Sequence, residues 1–250
     1  MTAWMQTSTG WAIDLDAPNL ARLDIAADVA ASLAGSARFN AHREGNRDGA
    51  GPIYSVAQHC CVGADAVLDE TGSVTTALAF LLHDAHEALI GDLTTPTAEA
   101  LETALATVLR FVFGLDAPAR VRAAIGRDPL AAAIDGLKNR LDHHLHPLAG
   151  LPHPLPEAMR KVVQEMDVRM LDLERRQILG ETRSHPAARV WPPAVLAARP
   201  VRLRGRLRPW PTKRAAAEWL RRFEAWSIRP VAEATRIVPT RRRDSAAVAA

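Results

Sequence analysis

Ser73-Val74-Thr75-Thr76-Ala77-Leu78-Ala79-Phe80-Leu81-Leu82-His83-Asp84-Ala85-His86-Glu87-Ala88-Leu89-Ile90 is the segment on which the fold turns. Gly72 breaks the chain before it, Ser73 suits an N-cap and Gly91 stops it, so the sequence predicts one helix over 74–90. The run Ala77-Leu78-Ala79-Phe80-Leu81-Leu82 makes that helix apolar nearly all round, which places it at the centre of a helical fold. It then meets His83, Asp84 and Glu87, which share one helical edge at spacings of three and four. Ionisable groups on such a helix are costly unless they are paired or bind a metal.

Working outward, Ser55 caps a helix to about residue 69, with Val56, Cys60, Gly63, Ala64 and Val67 on one side. Residues 1–18 read as an irregular or short β-like lead-in anchored by Trp4 and Trp11. Pro18 or Asn19 opens a helix ending at Gly35, and the Gly, Asn and Asp of 43–52 mark a loop. After a turn at 92–96, helices are expected at 97–113 and 118–146, the second interrupted at Asp128-Pro129. Pro152, Pro154 and Pro156 form a linker to a helix at 157–178. Residues 185–211 are rich in Pro and Arg, and Thr212 caps a last helix over about 212–226. Ala216, Trp219, Leu220, Phe223 and Trp226 form its docking stripe, with Glu224 left in solvent. The fold class is all-α: a bundle over 1–184 and a basic C-terminal extension over 185–250 whose helix packs on the body.

Composition sets the bounds. The 250 residues are 48% hydrophobic and 24% charged, which excludes a disordered chain and leaves ample material for a core. Adjacent Cys60 and Cys61 cannot form a useful staple, and they read as small buried side chains. No basic segment with an apolar core opens the chain and no stretch is long enough to cross a bilayer, so a cytoplasmic location without membrane contact is expected. The formal charge of +3 hides an asymmetry: from Arg189 onward there are 15 Lys/Arg against 4 Asp/Glu, and before it 16 against 24.

The chemistry lies in His59, His83-Asp84 and a later carboxylate. A His-Asp dipeptide alone means little, since about 0.6 are expected by chance in this composition. Two imidazoles and a carboxylate from neighbouring helices, however, suit Zn, Mn, Fe or Co. The fourth ligand should come from a helix facing the same groove. Asp167, flanked by Val163, Met170 and Leu171, is preferred, and Asp135 is the competitor.

Together these residues resemble the HD-domain metal-dependent phosphohydrolases, closest to the bacterial 5′-deoxynucleotidase branch and its phage and proteobacterial relatives. Ser55-Val56-Ala57-Gln58-His59 is similar to that branch's Ser-Val-x-x-His helix. His83-Asp84-Ala85-His86-Glu87-Ala88-Leu89-Ile90-Gly91-Asp92-Leu93-Thr94-Thr95-Pro96 is similar to its His-Asp-x-x-Glu-x-x-x-Gly-Asp-x-x-x-Pro motif. The resemblance covers roughly 20–180. It implies an HD-type helical bundle with one divalent ion (Mn, Co, Zn, Fe or Mg) on His59, His83, Asp84 and Asp167. It also implies hydrolysis of a nucleotide phosphate ester, with deoxynucleoside monophosphates as substrates, and a homodimer. Glu87 would orient or deprotonate the attacking water, and Asp92 would help place substrate or water. Arg38-Phe39-Asn40-Ala41-His42 resembles the branch's Arg-aromatic substrate segment, although the aromatic is Phe where the deoxynucleotidases carry Trp. Arg38 would then meet a phosphate and Phe39 stack on base or sugar, and Arg38, His42 and Arg43 would suit more than one phosphate if all face inward. Removal of triphosphate from a dNTP is the alternative in the same branch, and cyclic-phosphate diesterases lie further away.

Other features have plainer readings. His86 points to solvent or to a supporting contact, and the His143, His144 and His146 cluster reads as a solvated face. The stretch from Val201 to Arg208 alternates basic and apolar residues. Packing of Leu203 and Leu207 on the acidic body is preferred to a nucleic-acid track that Arg241-Arg242-Arg243 would extend. A non-catalytic scaffold binding nucleic acid through this tail is the competing class of function, disfavoured by an intact Glu87 and Asp92.

Overall fold

The computed structural model describes residues 3–45, 49, 51–180, 191–203 and 205–228. It is mostly helical. Of the segments singled out in the sequence, residues 185–190, Arg204 and the Arg241-Arg242-Arg243 run lie outside the described residues.

A small antiparallel hairpin, β1 (Trp4–Gln6) and β2 (Ala12–Asp14), sets Met5 opposite Ile13. Met5 and Ile13 are its anchors, because strand alternation turns Trp4 away: Trp4 is 61% and Trp11 38% exposed. The buried Asp28 carboxylate accepts from the Thr9 amide and hydroxyl at 2.9 and 2.7 Å and from the Asp24 amide at 3.0 Å, tying the hairpin to the first helical segment. That segment is a π-helical turn (Ile25–Ala30) running into α1 (Ala31–Gly35). Its cap is Asp24, not Pro18 or Asn19: the Asp24 side chain accepts from the Ala26 and Ala27 amides.

A 3-10 turn (Arg38–Ala41) leads to α2 (Val56–Thr71), α3 (Val74–Leu82) and the short α4 (Glu87–Ile90). Ser55 caps α2 through the Gln58 amide, Gly72 closes it at φ 66°, and Ser73 caps α3 through the Thr76 amide. Helix α2 is buried without a break from Val56 to Ala64, and Ala77 to Leu82 of α3 are buried throughout. Their axes approach at Gly63, where a Cβ would lie 2.1 Å from the Phe80 ring.

Then come α5 (Thr95–Phe113), α6 (Ala117–Ile125) and α7 (Pro129–Leu148), an outer layer in which α5 buries no residue. Helix α8 (Glu157–Glu174) continues in a π-helical turn (Arg175–Leu179) and returns to the core. After α9 (Pro193–Leu196), an extended arm leads to α10 (Thr212–Trp226). Thr212 is the first helical residue and Pro211 occupies the cap position, so no side chain caps α10. Helix α10 packs on α1, α2 and α3 with Ala215, Trp219 and Phe223 buried, and the Trp219 indole donates to the Leu81 carbonyl at 3.2 Å. Among the described residues no helix is long and apolar enough to cross a membrane.

Candidate metal centre

The central helix does not run unbroken over 74–90. It ends at Leu82, and the chain tightens through residues 83–86 before α4. The amides of Ala85, Glu87, Ala88 and Leu89 each bond the carbonyl three residues back, at 2.9–3.2 Å. His83 contributes to the break, because the Phe80 carbonyl accepts its amide at 3.3 Å and lies 2.6 Å from its Nδ1, bonding three residues on instead of reaching the Asp84 amide. In 3-10 geometry residues three apart eclipse one another, so Asp84 and Glu87 fall on one side. The continuous edge expected for His83 and Glu87 is thereby replaced.

This turn, α2 and α8 bring four ligand atoms together. His59 Nε2 is 3.3 Å from His83 Nε2, 3.3 Å from Asp167 Oδ1 and 3.8 Å from Asp84 Oδ2. His83 Nε2 is 3.2 Å from Asp84 Oδ2 and 3.7 Å from Asp167 Oδ1. A tetrahedral ion with ligand bonds of about 2.1 Å sets its ligand atoms about 3.4 Å apart, so these spacings fit a metal-binding set. His59, His83 and Asp167 form one set that can hold a divalent ion, with Asp84 at its edge 3.2 Å from His83, and two nitrogens with two oxygens suit several metals.

Supporting contacts fix both imidazoles. His59 Nδ1 is 2.6 Å from Glu174 Oε1 and His83 Nδ1 2.6 Å from the Phe80 carbonyl. Both acceptors need a proton on Nδ1, which turns each Nε2 lone pair toward the cluster. Glu174, fully buried, also accepts from the Tyr54 hydroxyl at 2.7 Å and lies 3.3 Å from Arg38 Nη2. Sequence reasoning missed Glu174 and Tyr54. The available signal was spacing: Glu174 lies seven residues after Asp167, two turns along the same face of α8.

Electrostatics agree with a site built for a cation. Burial opposes charge on His59 and His83, yet the carboxylates around them raise both above the ordinary imidazole value. Burial likewise opposes charge on Asp84 and Asp167, and the imidazoles hold both below the usual carboxylate range. Glu87 is pushed up to about 9 by burial and by Asp84 and Asp92, and its Oε2 has no partner among the described residues. Burial, with Asp84 nearby, raises Asp92 as well. Lys138 on α7 and Arg38 are the cations that oppose these shifts.

The remaining candidates are distributed around this centre. Arg38 borders it, held by a bridge between Ala37 and Ser55 and by its amide bond to the Tyr54 carbonyl at 2.9 Å. Its Nη1 is 3.4 Å from Asp84 Oδ2. Phe39 packs partly on the core with the Arg38 guanidinium 5.5 Å from its ring centre. Phe39, Asn40 and Ala41 all have left-handed backbones, at φ 57°, 51° and 64°, strain of the kind that persists where the surroundings enforce it. His42 is exposed at the end of that turn. Asp135 stands away from the cluster, exposed and paired with Arg127 at 2.5 Å. His86 is buried and bonded to Asp142 at 3.0 Å, so the solvent reading fails because α7 covers it. Only part of the histidine cluster is solvated: His143 is exposed, whereas His146 is buried with Nδ1 3.2 Å from His153 Nδ1. Cys60 and Cys61 are buried and free, and burial pushes the Cys60 thiol up to about 11.

No protein-family model matches the sequence. A protein of Rhodobacter capsulatus, described only as uncharacterized, is 30% identical over 219 residues, which span 86% of this chain and 91% of the relative.

Proposed function

We propose a divalent-metal phosphohydrolase activity on (deoxy)nucleotides, releasing phosphate from deoxynucleoside monophosphates, for this chain, which belongs to one family with the uncharacterized Rhodobacter capsulatus protein. The observation that carries the reading is the convergence of His59, His83, Asp84 and Asp167 at metal-ligand spacing beside the buried Glu87 and half-buried Asp92 carboxyls. Their order along the chain is that of the HD-domain enzymes, and an HD-type bundle is the architecture we assign. A cytoplasmic homodimer is the form that resemblance implies.

A bound divalent ion supplies a lowered pKa for coordinated water and neutralises phosphoryl charge. The protein does the rest. Glu174 and the Phe80 carbonyl keep both imidazoles in the ligating tautomer. Glu87 is shielded from solvent, and a carboxyl pushed up to about 9 is a strong base once ionised, suited to orienting and deprotonating the attacking water. Asp92, immediately after α4, helps hold that water or the substrate. Arg38 retains capacity for a phosphate: its contacts to Asp84 and Glu174, at 3.4 and 3.3 Å, are longer than a tight charge-assisted bond of about 2.8 Å, and its Nε bonds nothing among the described residues.

The test is phosphate release from deoxy- and ribonucleoside mono-, di- and triphosphates, with Mn, Co, Zn or Mg supplied separately. Orthophosphate from deoxynucleoside monophosphates, lost in Glu87→Gln while bound metal is retained, is the expected result. Triphosphate release would move the assignment to dNTP hydrolysis. Silence across the panel from metal-loaded protein would overturn the reading.

A further inference from the structure

The arm of residues 201–210 answers only half of the question its alternating sequence posed. Val201 and Leu207 are buried and Leu203 packs on the core, so the apolar positions dock on the body. Two glutamines clamp the arm's backbone. Gln58 donates to the Arg208 carbonyl and accepts from the Trp210 amide, both at 2.8 Å, and Gln177 accepts from the Leu207 amide at 2.7 Å. The acidic body also finds arginine partners, but different ones. Arg169 and Arg199 pair with Glu70 at 2.5 and 2.6 Å, and Arg222 pairs with Asp65 at 2.6 Å. Body packing therefore explains those arginines and leaves Arg206, Arg208 and Arg214 without a carboxylate partner among the described residues.

These three side chains, with Arg202, line a groove of about 490 Å³ between the arm and α2. Trp210 forms part of the wall, and the Arg214 guanidinium sits 4.6 Å from its ring centre. Of the two acids lining the groove, Asp65 and Asp69, the first is already neutralised by Arg222. We propose that this groove binds a small polyphosphorylated anion, at a site sharing no residue with the metal cluster. Guanidinium groups match phosphate oxygens in geometry and charge, and a clamped backbone presents them at low ordering cost. The volume lies within the range of about 300–1,000 Å³ typical of small-molecule sites. Beyond Arg202 the adjoining cavity sets Arg169, Arg199 and Arg202 against Asp69, Glu70 and Glu165, so the excess of positive charge stops at the groove, which favours a short ligand.

Titration calorimetry of the full chain with inorganic tripolyphosphate, dATP and a 15-nucleotide oligo-dT tests the proposal. In chelator-treated protein, tripolyphosphate and dATP are expected to bind wild type and His83→Ala equally, and at least tenfold more weakly to the Arg206→Ala/Arg208→Ala double variant. Arg214→Gln, on another element, is expected to weaken both as well. Similar affinities for the two ligands would assign free polyphosphate; preference for dATP that Trp210→Ala removes would assign a nucleotide. The proposal fails if both sets of arginine variants bind as wild type does. It fails equally if His83→Ala abolishes binding, which would put the anion at the metal centre. Tighter, steeply salt-dependent binding of oligo-dT would overturn it in favour of a nucleic-acid groove.

Discussion

Glu174 shows how much one unrecognised residue can organise. Its carboxylate receives His59, Tyr54 and Arg38 together in full burial, so the orientation of one candidate metal ligand and of the candidate phosphate-binding arginine depend on it. Partners that orient a ligating histidine are worth about 10–100-fold in metal affinity. Glu174→Gln, similar in shape but neutral, is expected to lose metal affinity by that factor in chelator competition while still folding. An unchanged affinity would reduce Glu174 to a structural residue. The cluster also dictates a pH response. His59, His83 and Glu87 are all raised above their ordinary values of 6.5, 6.5 and 4.5, so at these three groups the folded protein binds more protons than the unfolded chain. Their stabilisation is therefore full at acid pH and drains away as pH rises through the folded values. Asp84 and Asp167, held low, stay ionised down to below their ordinary 3.8. His144, His146 and His153, held below 6.5 by burial, act in the opposite sense up to neutrality, so melting of chelator-treated protein should show a decline from about pH 7 toward pH 9. Saturating metal, which competes with the imidazole protons, should flatten that decline, and metal affinity should rise with pH. A flat profile without metal would contradict the charge arrangement described.

At the scale of elements, the caps and breakers were legible because they act locally. Ser55, Gly72 and Ser73 set the ends of α2 and α3 where the sequence placed them. The break after Leu82 was not legible, because it arises when His83 takes a carbonyl that a regular helix would use, and helical periodicity does not register that competition. The four-residue spacing of His83 and Glu87 pointed to residues that the fold does bring to the cluster, through a geometry the chain does not adopt. Gly63 was misread in a similar way. It looked like one member of an apolar face, whereas its role is to let the Phe80 ring lie against the α2 backbone. On an open helix face Gly→Ala stabilises by up to about 1 kcal/mol. Here the added methyl meets Phe80 at 2.1 Å, and overpacking of this kind costs about 1–3 kcal/mol, so the clash decides the sign. Gly63→Ala should lower the melting temperature by several degrees. It should weaken metal binding too, since the Phe80 ring lies 4.4 Å from that of His83. Adding Phe80→Leu should recover part of the loss, a coupling that a double-mutant cycle measures directly.

For the whole molecule, the all-α class and the docked last helix followed from hydrophobic periodicity, the most robust signal a helical sequence carries. What periodicity could not convey is how deeply that last helix is built in. Trp219 is fully buried and Phe223 is 1% exposed, on a core shared with α1, α2 and α3. The Trp219 indole bonds the carbonyl of Leu81, two residues before the candidate metal ligand His83. Truncating one such buried aromatic costs about 3–5 kcal/mol, against a total stability of about 5–15 kcal/mol for a typical domain. A chain ending at residue 190 would lose Val201, Leu207, Ala215, Trp219 and Phe223 at once and uncover the faces of α1–α3 they bury. It would also strand Asp65 without Arg222. Such a chain should show no cooperative melt and no stoichiometric metal binding, even though it retains His59, His83, Asp84 and Asp167. The milder Trp219→Ala should fold with a melting temperature lowered by about 6–20 °C, taking about 2–4 °C per kcal/mol at this chain length. If the shortened chain instead melted cooperatively and bound one metal ion, the basic C-terminal part would be a separable appendage, with its arginine groove free to evolve apart from the centre.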